Sequence, residues 1–297
     1  RSEAMKFGID RLLEQSRLRR CLQGRRVALL AHPAAVTADL THSLDALAGL
    51  SDIRLSAAFG PQHGLRGDKQ DNMVESPDYL DPRHGIPVFS LYGEVRRPTP
   101  AMLDQFDVLL VDLQDLGCRI YTFITTLRYV LEAAAQFNKR VVVLDRPNPV
   151  GRPVEGLTLR PGWESFVGAG PLPMRHGLTM GELALWFVQT LNLDVECEVM
   201  TMQGWEPGTG PGHGWPVIHP VREASNAGCE QPTPVYRRRS LSPLWGNGQG
   251  RRGSRQRPAG VHCLRLQSGA ARSAGWRNGR PWRTEGTADP GQPGRGP

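Results

Sequence analysis

The sequence predicts an α/β fold: a Rossmann-like, doubly wound and mostly parallel sheet, followed by a smaller second domain that is truncated or replaced. Three observations carry this. Short β-branched runs alternate with longer amphipathic stretches, the pattern of parallel strands joined by helices. Polar clusters fall at the carboxyl ends of those strands, where open parallel sheets bind ligands. The composition then changes twice along the chain, near Gly151 and after Pro216.

Arg26–Ala31 (RVALLA) reads as the first strand and residues 43–50 as part of the helix after it. Residues 53–59 are a second strand, and Pro87–Ser90 is a short one before a turn at Tyr92 and Gly93. A helix starts over 99–105, with Thr99 as N-cap and Pro100 at the first helical position. Residues 108–111 are a buried strand, 125–137 a helix, and Arg140–Leu144 (RVVVL) another buried strand. Leu103, Leu127, Val130, Leu131 and Val141 to Val143 are core, and residues 1–150 make the Rossmann-like domain. From Gly151 glycine and proline are frequent through Gly170. Residues 179–191 (TMGELALWFVQTL) then form a helix capped by Thr179, with Glu182 completing a capping box. Residues 195–202 are a further strand, and 151–216 is read as the start of the smaller C-terminal domain.

Residues 217–297 are of another kind. They hold 14 Arg, no Lys and 4 acidic residues, a net charge of +10. Residues 1–216 hold 22 basic and 25 acidic ones, a net of −3, so the formal +7 of the whole chain belongs to the tail. With 13 Gly, 9 Pro and neither Phe nor Met, the tail cannot bury enough apolar surface to offset its ordering entropy. Two readings fit it: a GC-rich gene read out of frame, or an Arg-rich nucleic-acid-binding arm. There is no repeated RGG unit, Trp245, Trp276 and Trp282 stand singly, and lysine is absent. These features favour the first reading, so no nucleic-acid partner is expected.

Five cysteines (Cys21, Cys118, Cys197, Cys229, Cys263) are an odd number without CxxC spacing. That argues against a disulfide framework or a zinc site and for a reducing compartment. No run of 18 apolar residues exists, so no membrane span is expected. The chain opens RSEAMKFGIDRLL, in which Met5 reads as a plausible start. The expected localisation is cytoplasmic for the chain as written, or exported if a leader was removed.

Four polar clusters converge on one rim of the sheet: His32 and Pro33, GPQHGLRGD (60–68), DLQDLGCRIYT (112–122) and DRPNP (145–149). After the first strand comes HPAAVTAD, without the GxGxxG that lets a pyrophosphate approach a helix, and GxxxxGK[ST] is absent. HExxH and GxSxG are also missing, which removes the common zinc-protease and serine-hydrolase readings. Neither a metal nor an organic cofactor is expected. Carboxylate, histidine, arginine and tyrosine chemistry remains.

The ordered motifs FGPQHGLRGD, PVFSLYGEVRRPT, DVLLVDLQDLGCRIYTFITTL, VVVLDRPNPVG and SFVGAGPLPMRHGLTMGELA resemble the NamZ-type exo-β-N-acetylmuramidases, over about residues 7–216. The resemblance implies a Rossmann-like domain joined to a smaller one, a cleft between them, and release of N-acetylmuramic acid from the non-reducing ends of peptidoglycan fragments. A peptidoglycan-derived muramyl saccharide is therefore the expected partner; the oligomeric state stays open. Two departures stand out. The family glutamate thought to be catalytic is Gln62 here, and an amide neither gives nor takes a proton as a carboxyl does. After Pro216 the chain reads VIHPVREASNAGC where the family continues into a Pro-, Asn- and Gly-rich stretch.

Glycoside hydrolysis usually needs two carboxyl groups, about 5 to 5.5 Å apart for retention and about 6.5 to 9.5 Å for inversion. The carboxylates within the resemblance are Asp68, Asp71, Glu75, Asp112, Asp115 and Glu182. Glu75, Asp112, Asp115 and His63 are the catalytic candidates, together with Gln62 as the substituted position. Glu75 supplies the missing acid or is a solvated loop residue. Arg66, Arg119 and Arg175 suit the lactyl carboxylate of muramic acid, or pair internally with Asp68, Asp112 or Asp115. Tyr92 and Tyr121 stack on a sugar or pack in the core. His176 and Asn148 line the rim or serve the turns they sit in, and Glu182 binds substrate or only caps its helix. Two rival functions remain: a muramyl-sugar-binding protein impaired in catalysis, and an Arg-rich nucleic-acid binder resting on the tail alone.

Overall fold

The computed structural model describes residues 5–67, 75 and 77–208, all within one compact unit. Asp68, Asp71 and the tail 217–297 lie outside the described residues. The chain enters through α1 (Gly8–Glu14), α2 (Ser16–Arg19) and a 3-10 turn at Arg20–Leu22, then forms β1 (Arg26–Ala31) and α3 (Ser43–Ala48). Next come β2 (Arg54–Gly60), β3 (Tyr79–Leu80), β4 (Pro87–Ser90), α4 (Pro100–Leu103) and β5 (Val108–Asp112). The described part closes with α5 (Phe123–Gln136), β6 (Arg140–Leu144), α6 (Met180–Thr190) and β7 (Cys197–Met200).

The seven strands lie in the order β3-β4-β2-β1-β5-β6-β7, parallel throughout except for β3, which runs antiparallel on β4. Apart from that edge strand this is the doubly wound order, with the direction of winding reversing between β1 and β5. Continuous apolar runs suit strands covered on both faces. Alternate residues of each strand accordingly feed two separate cores. Ala28, Leu30, Leu109, Val111, Val141 and Val143 pack under α5 and α6, against Leu127, Leu131, Leu183 and Phe187. Val27, Leu29, Leu110, Val142 and Leu144 pack on the opposite face with Ile9, Leu12, Leu44 and Leu47.

Two differences from the sequence expectation bear on the site. The N-terminal helices and β3 were not foreseen. α1 is held by a close approach no local pattern announces: a Cβ on Gly8 would lie 2.5 Å from both the Asp145 nitrogen and the Met200 carbonyl oxygen. The second difference concerns residues after Gly151. β7 pairs in parallel with β6, from Val141–Cys197 to Leu144–Met200, and Leu183, Ala184 and Phe187 of α6 belong to the core under α5. Residues 179–200 therefore extend the first sheet and its helix layer. The reason is physical: the apolar face of α6 finds its cover on α5 and β6.

Candidate active site

Because the winding reverses between β1 and β5, the ligand crevice of such a sheet lies beyond Ala31 and Asp112. Here the protein's own polar groups occupy it. Asp112 is fully buried and receives Arg146 Nε at 2.6 Å and Nη2 at 3.0 Å, while Ser43 Oγ donates to it at 2.5 Å. A carboxylate so placed has its charge balanced by Arg146 and its oxygens bonded within the protein. His32 next to it is buried, and its Nε2 accepts the Gln114 N–H at 3.0 Å. Burial, and then the Arg146 cation, pull its pKa down to about 3, so the ring stays neutral.

The next cluster is built on the loop 113–122. Asp115 Oδ2 accepts the Gly117 N–H at 2.8 Å, and Gly117 has a φ of +77°. A Cβ there would fall 2.2 Å from Val150 Cγ2 and 2.5 Å from Asn148 Oδ1, so glycine lets this loop lie against the DRPNP turn. The Gly117 carbonyl in turn accepts the His176 N–H at 3.3 Å. His176 Nδ1 accepts the Leu178 N–H at 3.1 Å, which leaves the ring proton on Nε2. That Nε2 stands 3.0 Å from Asp115 Oδ2, within ion-pair distance but off the hydrogen-bond direction. Asp115 Oδ1 likewise has no hydrogen-bond partner among the described residues, although both side chains are buried. Burial, and then the negative charge of Asp115, push the Tyr121 phenol well above its ordinary pKa. Its ring leans on Phe123 at 4.6 Å.

The loop after β2 meets the same place. Gln62 Oε1 accepts the Thr122 hydroxyl at 2.9 Å, joining that loop to the N-cap of α5. The turn is tight: the Gly64 N–H reaches the Pro61 carbonyl at 2.9 Å, and His63 sits in the left-handed region at φ +73°. A non-glycine residue held there costs of order 1 kcal/mol, a strain common at functional sites. Gln62, His63, Tyr121 and Thr122 are partly exposed, whereas Asp115 and His176 lie buried behind them. Glu75 is exposed.

Most of the expected substrate-binding residues have partners inside the protein. Arg66 forms a fork on Asp45 at 2.8 and 2.9 Å and reaches Asp81 at 3.4 Å. His84 bonds the same carboxylate at 2.7 Å, and the hydrogen bonds from Arg66 and His84, with the charges of Arg66 and Arg83, hold Asp45 well below the usual carboxylate range. Arg119 Nη1 donates to the carbonyls of Leu157 at 2.7 Å and Leu172 at 2.6 Å. Arg175 pairs with Glu155 at 3.0 Å and donates to the Val150 carbonyl. Asn148 is buried, bonding the Leu178 carbonyl and the Val150 N–H at 3.0 Å each. Glu182 closes the capping box on the Thr179 N–H at 2.9 Å and pairs with Arg152. Tyr92 packs on Phe166 at 5.7 Å beneath Arg96. Of these partners the sequence revealed only the Thr179–Glu182 capping box.

Sequence reasoning missed Thr122, Arg146 and the weight of Asp145. Asp145 follows β6, is buried, and accepts the Thr179 hydroxyl and the Gly181 N–H at 2.9 Å each, so it anchors the start of α6. Burial raises its pKa to about 6, against the hydrogen bonds that lower it. Its position just past a strand was the available signal. Among the described residues no group of three or more His, Cys, Asp or Glu is placed to hold a metal ion, and Cys21, Cys118 and Cys197 are free thiols. No helix there is long and apolar enough to cross a membrane.

Residues 27–220 match the family described as exo-β-N-acetylmuramidase NamZ, N-terminal. A relative named peptidoglycan β-N-acetylmuramidase NamZ, from Bacillus subtilis (strain 168), is 44% identical over 200 residues, covering 67% of this chain and 48% of that protein. A crystal structure of a DUF1343 family protein from Bacteroides fragilis NCTC 9343 superposes with a TM-score of 0.63 at 41% identity, over 69% of this chain and 52% of the other. A second such protein from the same strain gives 0.59 at 29% identity, over 69% and 54%. The chain thus spans about half the length of these relatives. With the family model matched across 27–220, the chain belongs to the NamZ exo-β-N-acetylmuramidase family, whose N-terminal part it carries.

Proposed function

We propose that the protein is an exo-acting glycoside hydrolase that releases N-acetylmuramic acid from the non-reducing ends of peptidoglycan fragments. The observation that carries this is the wall at the carboxyl end of the sheet. Gln62 and Thr122 are joined there at 2.9 Å, and Tyr121 stands beside the buried Asp115 and His176. A neutral phenol at that wall is a hydrogen-bond donor for a sugar hydroxyl, and Asp115 behind it carries an oxygen not yet committed. The 44% identical relative is named a peptidoglycan β-N-acetylmuramidase. His63 and Glu75, on the loop segment after β2, supply the further polar groups of the reading.

One residue favours a second reading, sugar binding with impaired turnover. Gln62 fills a position where proton transfer requires a carboxyl group. The test is release of a chromogenic leaving group from an N-acetylmuramide by the full chain and by Gln62→Glu. Slow release by the native chain and faster release by Gln62→Glu are expected. If neither releases the group while both bind N-acetylmuramic acid, the hydrolase reading falls and the binding reading takes its place.

A further inference from the structure

A hollow of about 530 Å³ opens between the loop after β4 and the flank of α5, lined by Val95, Arg96, Arg97, Tyr129 and Phe166. It is a shallow depression, open to solvent over most of its extent. Arg96 is exposed, yet its guanidinium is held by stacking, 4.5 Å from the Phe166 ring centre and 5.0 Å from that of Tyr92. A guanidinium this close to two ring centres is attracted by their faces, and its exposure leaves it within reach of a ligand from solvent. No carboxylate among the described residues lies within ion-pair distance of it. Arg97 beside it is already paired with Glu132 and lies over Tyr129 at 3.8 Å. Arg66, Arg119 and Arg175, the arginines expected from sequence to bind the substrate's acid, are spent on Asp45, on backbone carbonyls and on Glu155.

The hollow and the Gln62 wall share one helix face. Thr122 holds Gln62, Thr125 Oγ1 donates to the Phe166 carbonyl at 2.7 Å, and Tyr129 lines the hollow. These positions are spaced i, i+3 and i+7, on one side of a helix. From Thr122 to Tyr129 the axial rise is about 10 Å at 1.5 Å per residue, the scale of a disaccharide.

We propose that the Arg96–Phe166–Tyr129 hollow is the subsite for the ligand's carboxylate, Arg96 offering the fork and the rings packing against the carbon skeleton that bears it. This rests on the muramyl-sugar reading and adds the residue that separates an acidic sugar from a neutral one. The carboxylate has two possible sources: the lactyl group of N-acetylmuramic acid, or the peptide of a muramyl peptide, in which the lactyl carboxyl is spent in an amide.

Calorimetric titration of the full-length protein with N-acetylmuramic acid, a muramyl dipeptide and N-acetylglucosamine tests this, in the native chain and in Arg96→Ala and Arg96→Lys. Native protein is expected to prefer a carboxylate-bearing sugar over N-acetylglucosamine. Arg96→Ala should weaken that sugar by roughly tenfold or more, as loss of a charge-assisted hydrogen bond does, and leave N-acetylglucosamine unmoved. Arg96→Lys should restore only part. Preference for the free lactyl sugar or for the dipeptide assigns the source. If the sugars bind alike and Arg96→Ala changes none of them, at an unchanged melting temperature, the subsite is overturned and the sugar reading stands. If no sugar binds the native chain, both are overturned.

Discussion

Asp112 and Arg146 form a two-pronged ion pair at the centre of the sheet's carboxyl edge, with Nε to Oδ1 at 2.6 Å and Nη2 to Oδ2 at 3.0 Å, and with both side chains almost wholly removed from solvent. Removing one partner strands the other charge in a low-dielectric setting, at a cost of about 3–5 kcal/mol. Asp112→Ala and Arg146→Met are each expected to lower the denaturation midpoint strongly, and the double variant by less than the sum of the two. Urea unfolding of the four proteins measures the coupling; additive losses would show that the pair contributes nothing as a pair.

Asp145 gives the protein an acid-dependent anchor for α6. Its folded pKa of about 6 lies above the ordinary aspartate value of about 3.9, so between those values the folded state holds a proton that the unfolded state has lost. Stability is then full below about pH 4, falls as pH rises toward about 6, and is level above. Two units correspond to about 3 kcal/mol as an upper bound. Asparagine can keep the bonds to Gly181, Arg146 and Thr179, so Asp145→Asn should flatten this slope. Guanidine unfolding at steps from pH 4 to 7 compares the two, and parallel slopes would remove the claim.

How much of this was legible in the sequence depended on the range of the interaction. β1, β5 and β6 were legible because a strand covered on both faces is apolar throughout, and α6 because Thr179 and Glu182 are three residues apart. Both signals are local. The partners of Arg66, Arg119 and Arg175 were not legible, because each is chosen by tertiary proximity among many acids and carbonyls. Asp45, which takes Arg66, sits 21 residues upstream on α3 and carries no mark of its role. α1 is fixed by contacts of Gly8 with Asp145 and Met200, far along the chain. The convergence of four strand ends was readable, but which carboxylates stay uncommitted there was not.

Gly117 is the hinge on which the Asp115 loop rests. A methyl group there meets Val150 Cγ2 at 2.2 Å and Asn148 Oδ1 at 2.5 Å, and φ of +77° adds about 1–2 kcal/mol for any L side chain. Gly117→Ala should therefore destabilise by more than that conformational penalty and abolish sugar binding together with turnover. Thermal unfolding and titration with N-acetylmuramic acid check both effects. A melting temperature within a degree or two of native would show that the loop can move away without consequence.

The Tyr121 phenol, raised first by burial and then by the charge of Asp115, should stay protonated where ordinary tyrosines ionise, near pH 10. A tyrosine with a raised folded pKa stabilises the fold less as pH climbs above its unfolded value, since only the unfolded chain then gains by ionising. Tyr121→Phe removes this pH dependence. Ultraviolet titration of native and variant protein should superimpose through about pH 10 to 11, while the variant alone loses sugar affinity. A missing tyrosinate signal already at pH 10 would contradict the raised phenol.

Thr122 is where Gln62 meets the helix. Its hydroxyl donates to Gln62 Oε1 at 2.9 Å, and a carboxylate at residue 62 can accept the same bond. A hydrogen bond to the charged form lowers a carboxyl pKa, so Thr122 would hold an introduced glutamate toward its ionised form. In the Gln62→Glu background, Thr122→Val is therefore expected to move the acidic limb of the turnover profile to higher pH. In the native chain, with an amide at 62, the same substitution should leave the shape of the profile unchanged and cost only about 0.5–1.5 kcal/mol of stability. Release rates of the chromogenic muramide from pH 4 to 9 in the two backgrounds measure the difference, and equal displacement in both would mean that Thr122 acts on some group other than residue 62.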